Sequence, residues 1–167
     1  NSHSISSVSP QGSFDYNIIT PMRATGSLAF IIAKKGLLSA DYEFVDYSAA
    51  VLSSSPNVFF DANNAVRNKY TSTNNIRVGT EWRLDPFCLR AGYAMYGNPY
   101  KANTGNNATR SSYSVGFGIR DKDYFIDFAY VLTVASENYY LYDLALVNAA
   151  KNDLKSSSLM MTLGFRY

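Results

Sequence analysis

Asp41 and Glu43 stand two residues apart, so in an extended chain both carboxylates lie on one face. Paired carboxylates can do general acid–base work. The company they keep argues otherwise. Arg23, Arg77, Arg83, Arg90, Arg120 and Arg166 recur in similar stretches, with Asp46, Glu81 and Asp127 as further acids. Arginine beside a carboxylate makes paired, multidentate hydrogen bonds, so these groups read as ion pairs. A ligand carrying a carboxylate would pair with Arg77, Arg90 or Arg120, which are the candidate ligand-binding residues. Nucleophilic catalysis lacks a base, because His3 is the sole histidine and sits in a polar leader. Cys88 is the sole cysteine, which excludes a disulfide framework and suits a small buried or wall residue. Neither a catalytic nor a metal site is expected, no cofactor is implied, and the chain does not read as an enzyme. With a net charge of only +2, nucleic acid is not an expected partner.

The elements that carry these charges alternate with a period of two, the signature of half-buried strands. In residues 112–120, SYSVGFGIR, Tyr113, Val115, Phe117 and Ile119 oppose Ser114, Gly116, Gly118 and Arg120. Residues 75–84 set Ile76, Val78, Thr80, Trp82 and Leu84 against Arg77, Gly79, Glu81 and Arg83. Residues 87–96 and 124–132 repeat the pattern, as do two earlier stretches, 22–33 and 37–50. Parity slips at Phe44-Val45-Asp46, which predicts a β-bulge. With the terminal SLMMTLGFRY this makes about seven strands of about ten residues, longer than the usual five or six and near the length that crosses a bilayer at a slant. No apolar run is long enough for a spanning helix.

The connections sort by length. AKKG, Asp85-Pro86 and Asp121–Asp123 are tight turns, whereas 53–73, 97–110 and 135–155 are long polar insertions. Short turns on one rim and long loops on the other are the habit of outer-membrane barrels. In the last insertion, ENYYLYDLALV reads as a loop hairpin or an upward extension of the sixth strand. Tyr42, Tyr47, Trp82, Phe87, Tyr93, Tyr124, Tyr130 and Tyr167 would form aromatic girdles at the membrane interfaces. Lysine lies mainly in turns and loops, while glycine and arginine share the polar face, as a crowded barrel interior requires. The in-register Leu163, Phe165 and Tyr167 form the expected signal to the barrel-assembly machinery.

Several of these stretches resemble a known family. FDYNIITPMRATGSLAFI, KKGLLSADYEFVDYS, NIRVGTEWRL, LRAGYAMYGNPY, YSVGFGIRDKDYFIDFAYV and TLGFRY are similar to the carboxyl-terminal half of the FadL/TodX outer-membrane transport family. The closest likeness is to Bacteroidetes-type members, some labelled hemin receptors. The resemblance runs from Phe14 to Tyr167. It implies an all-β, antiparallel transmembrane β-barrel, FadL-like and fourteen-stranded when complete, with an amino-terminal hatch and lateral exit of hydrophobic substrates. Residues 1–13 are then a polar leader or loop, and 14–167 the C-terminal part of the barrel.

The expected location is the bacterial outer membrane, with membrane lipid around the wall. The missing N-terminal half, or a second chain, would supply the remaining strands, because open sheet edges are not tolerated in hydrocarbon. If residues 137–147 formed a full strand, an eight-stranded barrel could close alone. The expected activity is uptake of hydrophobic small molecules such as long-chain fatty acids or aromatic hydrocarbons. Val58, Phe59 and Phe60, with Tyr139, Tyr140, Leu141 and Tyr142, are candidates for an apolar patch in the outer loops. No histidine lies in the barrel portion to ligate heme, so heme is discounted. Two rivals remain: a non-transport envelope barrel serving adhesion, secretion or assembly, and a soluble all-β binding module.

Overall fold

The alternation resolves into pairing. In the computed structural model, which describes residues 15–55, 58–139 and 150–165, seven strands form one antiparallel sheet. They are β2 (Met22–Ile32), β3 (Gly36–Asp46), β5 (Ser72–Leu84), β6 (Phe87–Tyr96), β7 (Arg110–Arg120), β8 (Tyr124–Tyr139) and β9 (Ala150–Phe165), adjacent in that order. Short β1 (Tyr16–Ile19) and β4 (Val51–Ser54) pair separately. One helix, α1 (Phe60–Lys69), lies in the connection from β4 to β5.

Each of the three tight connections closes the same end of the sheet. In the first, Lys35 N donates to Ile32 O at 3.0 Å, with Ala33 at φ 48° and Lys34 at φ 58°. Positive φ at both central positions marks the primed turn whose twist matches the flanking strands. The long insertions gather at the opposite end.

No bulge interrupts β3. Its register runs unbroken from Met22 opposite Asp46 to Ile32 opposite Gly36, and from Gly36 opposite Trp82 to Asp46 opposite Ser72. The sequence slips because an apolar residue takes a polar-face position: Val45 shares the face of Asp41 and Glu43 and is fully enclosed, at 0% exposure. Asp46 therefore does not join the charged face as expected. As the last residue of β3 it caps the 3₁₀ turn 47–49, accepting from Ser48 N at 3.0 Å and Ser48 Oγ at 2.6 Å. Strand β3 ends there rather than at residue 50.

The insertion 53–73, read as a loop, holds part of β4 and all of α1. The helix carries Asp61 in its first turn and Arg67 and Lys69 in its last, the charges that suit its dipole. At the other end of the chain, β8 and β9 are sixteen residues each and stay paired up to Tyr139 opposite Ala150. They rise beyond β7, whose first residue Arg110 pairs with Ala135. Residues 137–139 thus extend the sixth long strand of the sheet, and the rest of the stretch 137–147 lies outside the described residues.

The two faces of the sheet differ in kind. One carries Leu28, Phe30, Val115 and Leu159, at 66%, 60%, 58% and 77% exposure, and no described residue layers over it. Among the described residues only Val45 and Cys88 are buried apolar side chains. The accessible surface of 12681 Å² compares with about 8,200 Å² for an ordinary folded monomer of 18.5 kDa. A sheet with its apolar side uncovered contributes to the excess. The other face carries the charges.

Candidate functional site

Register decides which charges meet. Asp41 on β3 stands opposite Arg77 on β5, and Glu81 on β5 opposite Arg90 on β6. Two groups result. In the one nearer the long loops, Arg77 reaches Asp41 and Glu43, each at 3.6 Å, and Arg23 reaches Glu43 at 3.7 Å. Asn75 Nδ2 donates to Glu43 Oε1 at 2.7 Å, which gives that buried carboxylate a close neutral partner as well.

The second group is tighter. Arg83 Nε and Arg90 Nε donate to the two oxygens of Glu81 at 2.7 and 2.8 Å. Arg90 Nη1 donates to Asp127 Oδ1 at 2.7 Å, and Arg120 Nη2 stands 3.6 Å from Asp127 Oδ2. Arg90 is on β6 and Asp127 on β8, so their bond spans β7, a separation of roughly 9–10 Å between backbones. The span is open because β7 places glycine beneath it. Gly116 lies opposite Arg90 and Gly118 opposite Asp127. A Cβ on Gly116 would stand 3.3 Å from Arg90 Cβ, and one on Gly118 would overlap Asp127 Oδ1. The strand glycines mark where side chains must cross.

Between the two charged groups lies a cavity of about 720 Å³ lined from β3 round to β9, so the sheet curls towards its polar face. Small residues, among them Ser39, Gly79, Gly92, Ala94, Ser112 and Ser114, share its wall with the charged side chains of both groups. A second cavity of about 510 Å³ opens at the tight-turn end, lined by Arg83, Cys88 and Arg120 among others.

The structure brings Arg90 and Arg120 together on Asp127 and leaves Arg77 apart from them. All three candidate arginines already face carboxylates, which makes each a scaffold element first. Arg120 is the least satisfied, because its buried Nε has no partner and its guanidinium sits 5.7 Å over the Phe125 ring.

Among the described residues, the long insertions are linked to one another. Asn63 of α1 accepts from Leu52 N at 2.8 Å and donates to Leu52 O at 2.7 Å, fastening the helix to β4. Tyr70 and Tyr100 form an isolated bridge with ring centroids 5.0 Å apart, joining that segment to the 97–109 connection. Asn138 Nδ2 donates to Gly105 O at 2.7 Å, joining the connection to the raised end of β8. Of the expected outer patch, Val58 and Phe60 are exposed, Phe60 at 66%, while Phe59 meets Tyr16 edge-on at 6.2 Å. Tyr139 ends β8; Tyr140, Leu141 and Tyr142 lie outside the described residues. Leu163 and Phe165 lie on the apolar face of β9 near the tight-turn end, and Arg166 and Tyr167 are outside the described residues. Of the girdle candidates, Tyr42, Trp82, Phe87, Tyr93, Tyr124 and Tyr130 share the apolar face, whereas Tyr47 belongs to the 3₁₀ turn.

Sequence reasoning did not reach Asn63, the Tyr70–Tyr100 bridge or the role of Gly118. For Gly118 a signal was present, namely a glycine at the same parity as the arginines. No protein-family model matches the chain, and neither does any curated protein or solved structure.

Proposed function

We propose that this chain forms part of the wall of an outer-membrane β-barrel that admits hydrophobic small molecules, long-chain fatty acids or aromatic hydrocarbons being the leading classes. One observation carries the reading: a single-layer sheet leaves its apolar face uncovered and gathers its charges on the other face. In water such a sheet would bury its apolar side against a second layer. In a bilayer the apolar side meets lipid and the polar side lines a lumen.

The dimensions agree. On β2 the apolar face spans Met22 to Ile32, an eleven-residue strand. At about 3.3 Å per residue and a tilt of about 40°, that covers roughly 25 Å, the height of a barrel's apolar band. On β9 the same face changes from Lys151, Asp153 and Lys155 to Leu159, Met161, Leu163 and Phe165, as it would on entering hydrocarbon. The remaining strands of the barrel would come from a further stretch of the same protein or from a second chain, in keeping with the resemblance to the FadL/TodX family. The exposed Val58 and Phe60 beside β1 and β4 would offer a first landing for an apolar solute.

Trp82, the one tryptophan, lies on the apolar face and is its own reporter. In liposomes containing brominated lipid its fluorescence is quenched if that face meets acyl chains. Uptake of a labelled fatty acid or aromatic hydrocarbon into the same liposomes tests transport. An unquenched Trp82 in a protein that stays dissolved without detergent sinks the membrane reading. Quenching without uptake leaves the barrel and favours the adhesion or secretion alternative.

A further inference from the structure

We propose that the turn between β2 and β3 is an anchoring site for a long-chain acid, Lys34 and Lys35 taking its carboxylate and Ile31 and Leu37 the first part of its chain. The inference rests on the barrel reading and selects, between its two leading solute classes, the acid over the hydrocarbon.

This turn differs in charge from the other two. Asp85-Pro86 carries one acid, and Asp121–Asp123 sets two about a single lysine. The β2–β3 turn carries two adjacent lysines, and the stretch from Gly26 to Ala40 holds no acidic residue. Among the described residues neither lysine has an ion-pair partner. Arg77, Arg90 and Arg120 each stand beside a carboxylate already. An incoming carboxylate must compete for those arginines, whereas at Lys34 and Lys35 it displaces only water.

The neighbouring side chains are apolar where the face as a whole is not. Ile31 and Leu37 are cross-strand partners, and they share the face of Ser39 and Asp41. Ile31 is 77% exposed, as much as Leu159. Leu159, however, lies on the face assigned to lipid, and Ile31 lies on the opposite one. Lipid therefore does not account for Ile31, and the alkyl chain of a solute does, since covering such a side chain is favourable.

The site is held ready. Lys35 N donates to Ile32 O at 3.0 Å, and Arg83 N donates to Lys35 O at 2.7 Å, which fastens the turn to β5. The two lysines, Ile31 and Leu37 share a hollow of about 170 Å³ with Arg83 and Glu81. Both oxygens of Glu81 are taken by Arg83 and Arg90, so this acid does not occupy the lysines. At about 30 Å³ for each water-sized group, the hollow has room for about five, a carboxylate and its first methylenes. Cations beside apolar surface match a fatty acid at both ends, and a hydrocarbon at one only.

The full-length protein in vesicles is exposed to a dodecanoic acid carrying a diazirine next to its carboxylate, and separately to the matching alcohol. After illumination, labelled peptides are identified by mass spectrometry. The acid labels residues 31–37, and the alcohol labels them at least tenfold less, the factor that corresponds to one charge-assisted hydrogen bond. Lys34→Gln combined with Lys35→Gln lowers labelling by the acid by that factor and leaves the alcohol unchanged; Ile31→Ser lowers both. The ring of Trp82 lies against Gly36, so an unchanged emission confirms that the turn is intact in the variants. Equal labelling by acid and alcohol, labelling of the turn that survives either change, or acid labelling confined to other segments overturns the anchor. In each of these cases quenching of Trp82 by brominated lipid leaves the barrel standing. A wild-type protein that neither inserts nor shows that quenching overturns both.

Discussion

Replacing Gly118 with alanine tests the claim that β7 is kept bare so that Arg90 can reach Asp127. The new methyl would overlap Asp127 Oδ1, so the carboxylate must withdraw and the 2.7 Å bond from Arg90 Nη1 is lost. A hydrogen bond between charged groups contributes about 1.5–3 kcal/mol. Alanine returns about 0.5–1 kcal/mol through the lower entropy of the unfolded chain. The expected net loss is about 0.5–2.5 kcal/mol. The measurement is urea unfolding in phospholipid vesicles followed by Trp82 emission, repeated in an Asp127→Ala background. There the methyl meets no carboxylate, and Gly118→Ala should be neutral or slightly stabilising. The two substitutions should therefore couple by at least about 1 kcal/mol, as neighbours in one network do. An equal loss in both backgrounds would refute the reasoning, since the cost would then belong to the strand and not to the ion pair.

Three more outcomes follow from the same geometry. Val115→Arg, a substitution at an exposed site midway along the apolar stretch of β7, should cost about 2–4 kcal/mol in vesicles if that site faces lipid, and close to nothing if it faces water; unfolding in vesicles separates the two. Asn63→Ala removes both bonds to Leu52 and should free α1 from β4, seen as faster proteolytic cleavage between β4 and β5 with the strands still protected. Gly164→Ala would drive a methyl into the ring of Phe125 on the neighbouring strand, so its unfolding midpoint should fall, and Phe125→Ala in the same chain should restore part of the loss.

Much of the fold was legible because alternation is a local property. The strand containing Tyr113, Val115, Phe117 and Ile119 is readable from nine consecutive residues, and so are its two faces and the turn that follows. The parity slip at Val45 misled for a related reason. Alternation reports hydrophobicity, and Val45 is apolar because it is enclosed on the polar face, not because the strand changes sides. Helix α1 escaped notice because little in its sequence marks an apolar stripe and no side chain caps its start; the bonds to Leu52 hold it in place.

By itself the sequence determined the strand character of the chain, the sorting of apolar from charged residues and the grouping of short and long connections. Each depends only on neighbours along the backbone. The tertiary structure alone decided which acid each arginine meets. Arg90 and Asp127 are thirty-seven positions and two strands apart, and only the register of β6, β7 and β8 brings them to 2.7 Å. A charge in a strand announces that it needs a partner, but pairing across a sheet is set by how strands align, and that alignment is written in no single segment.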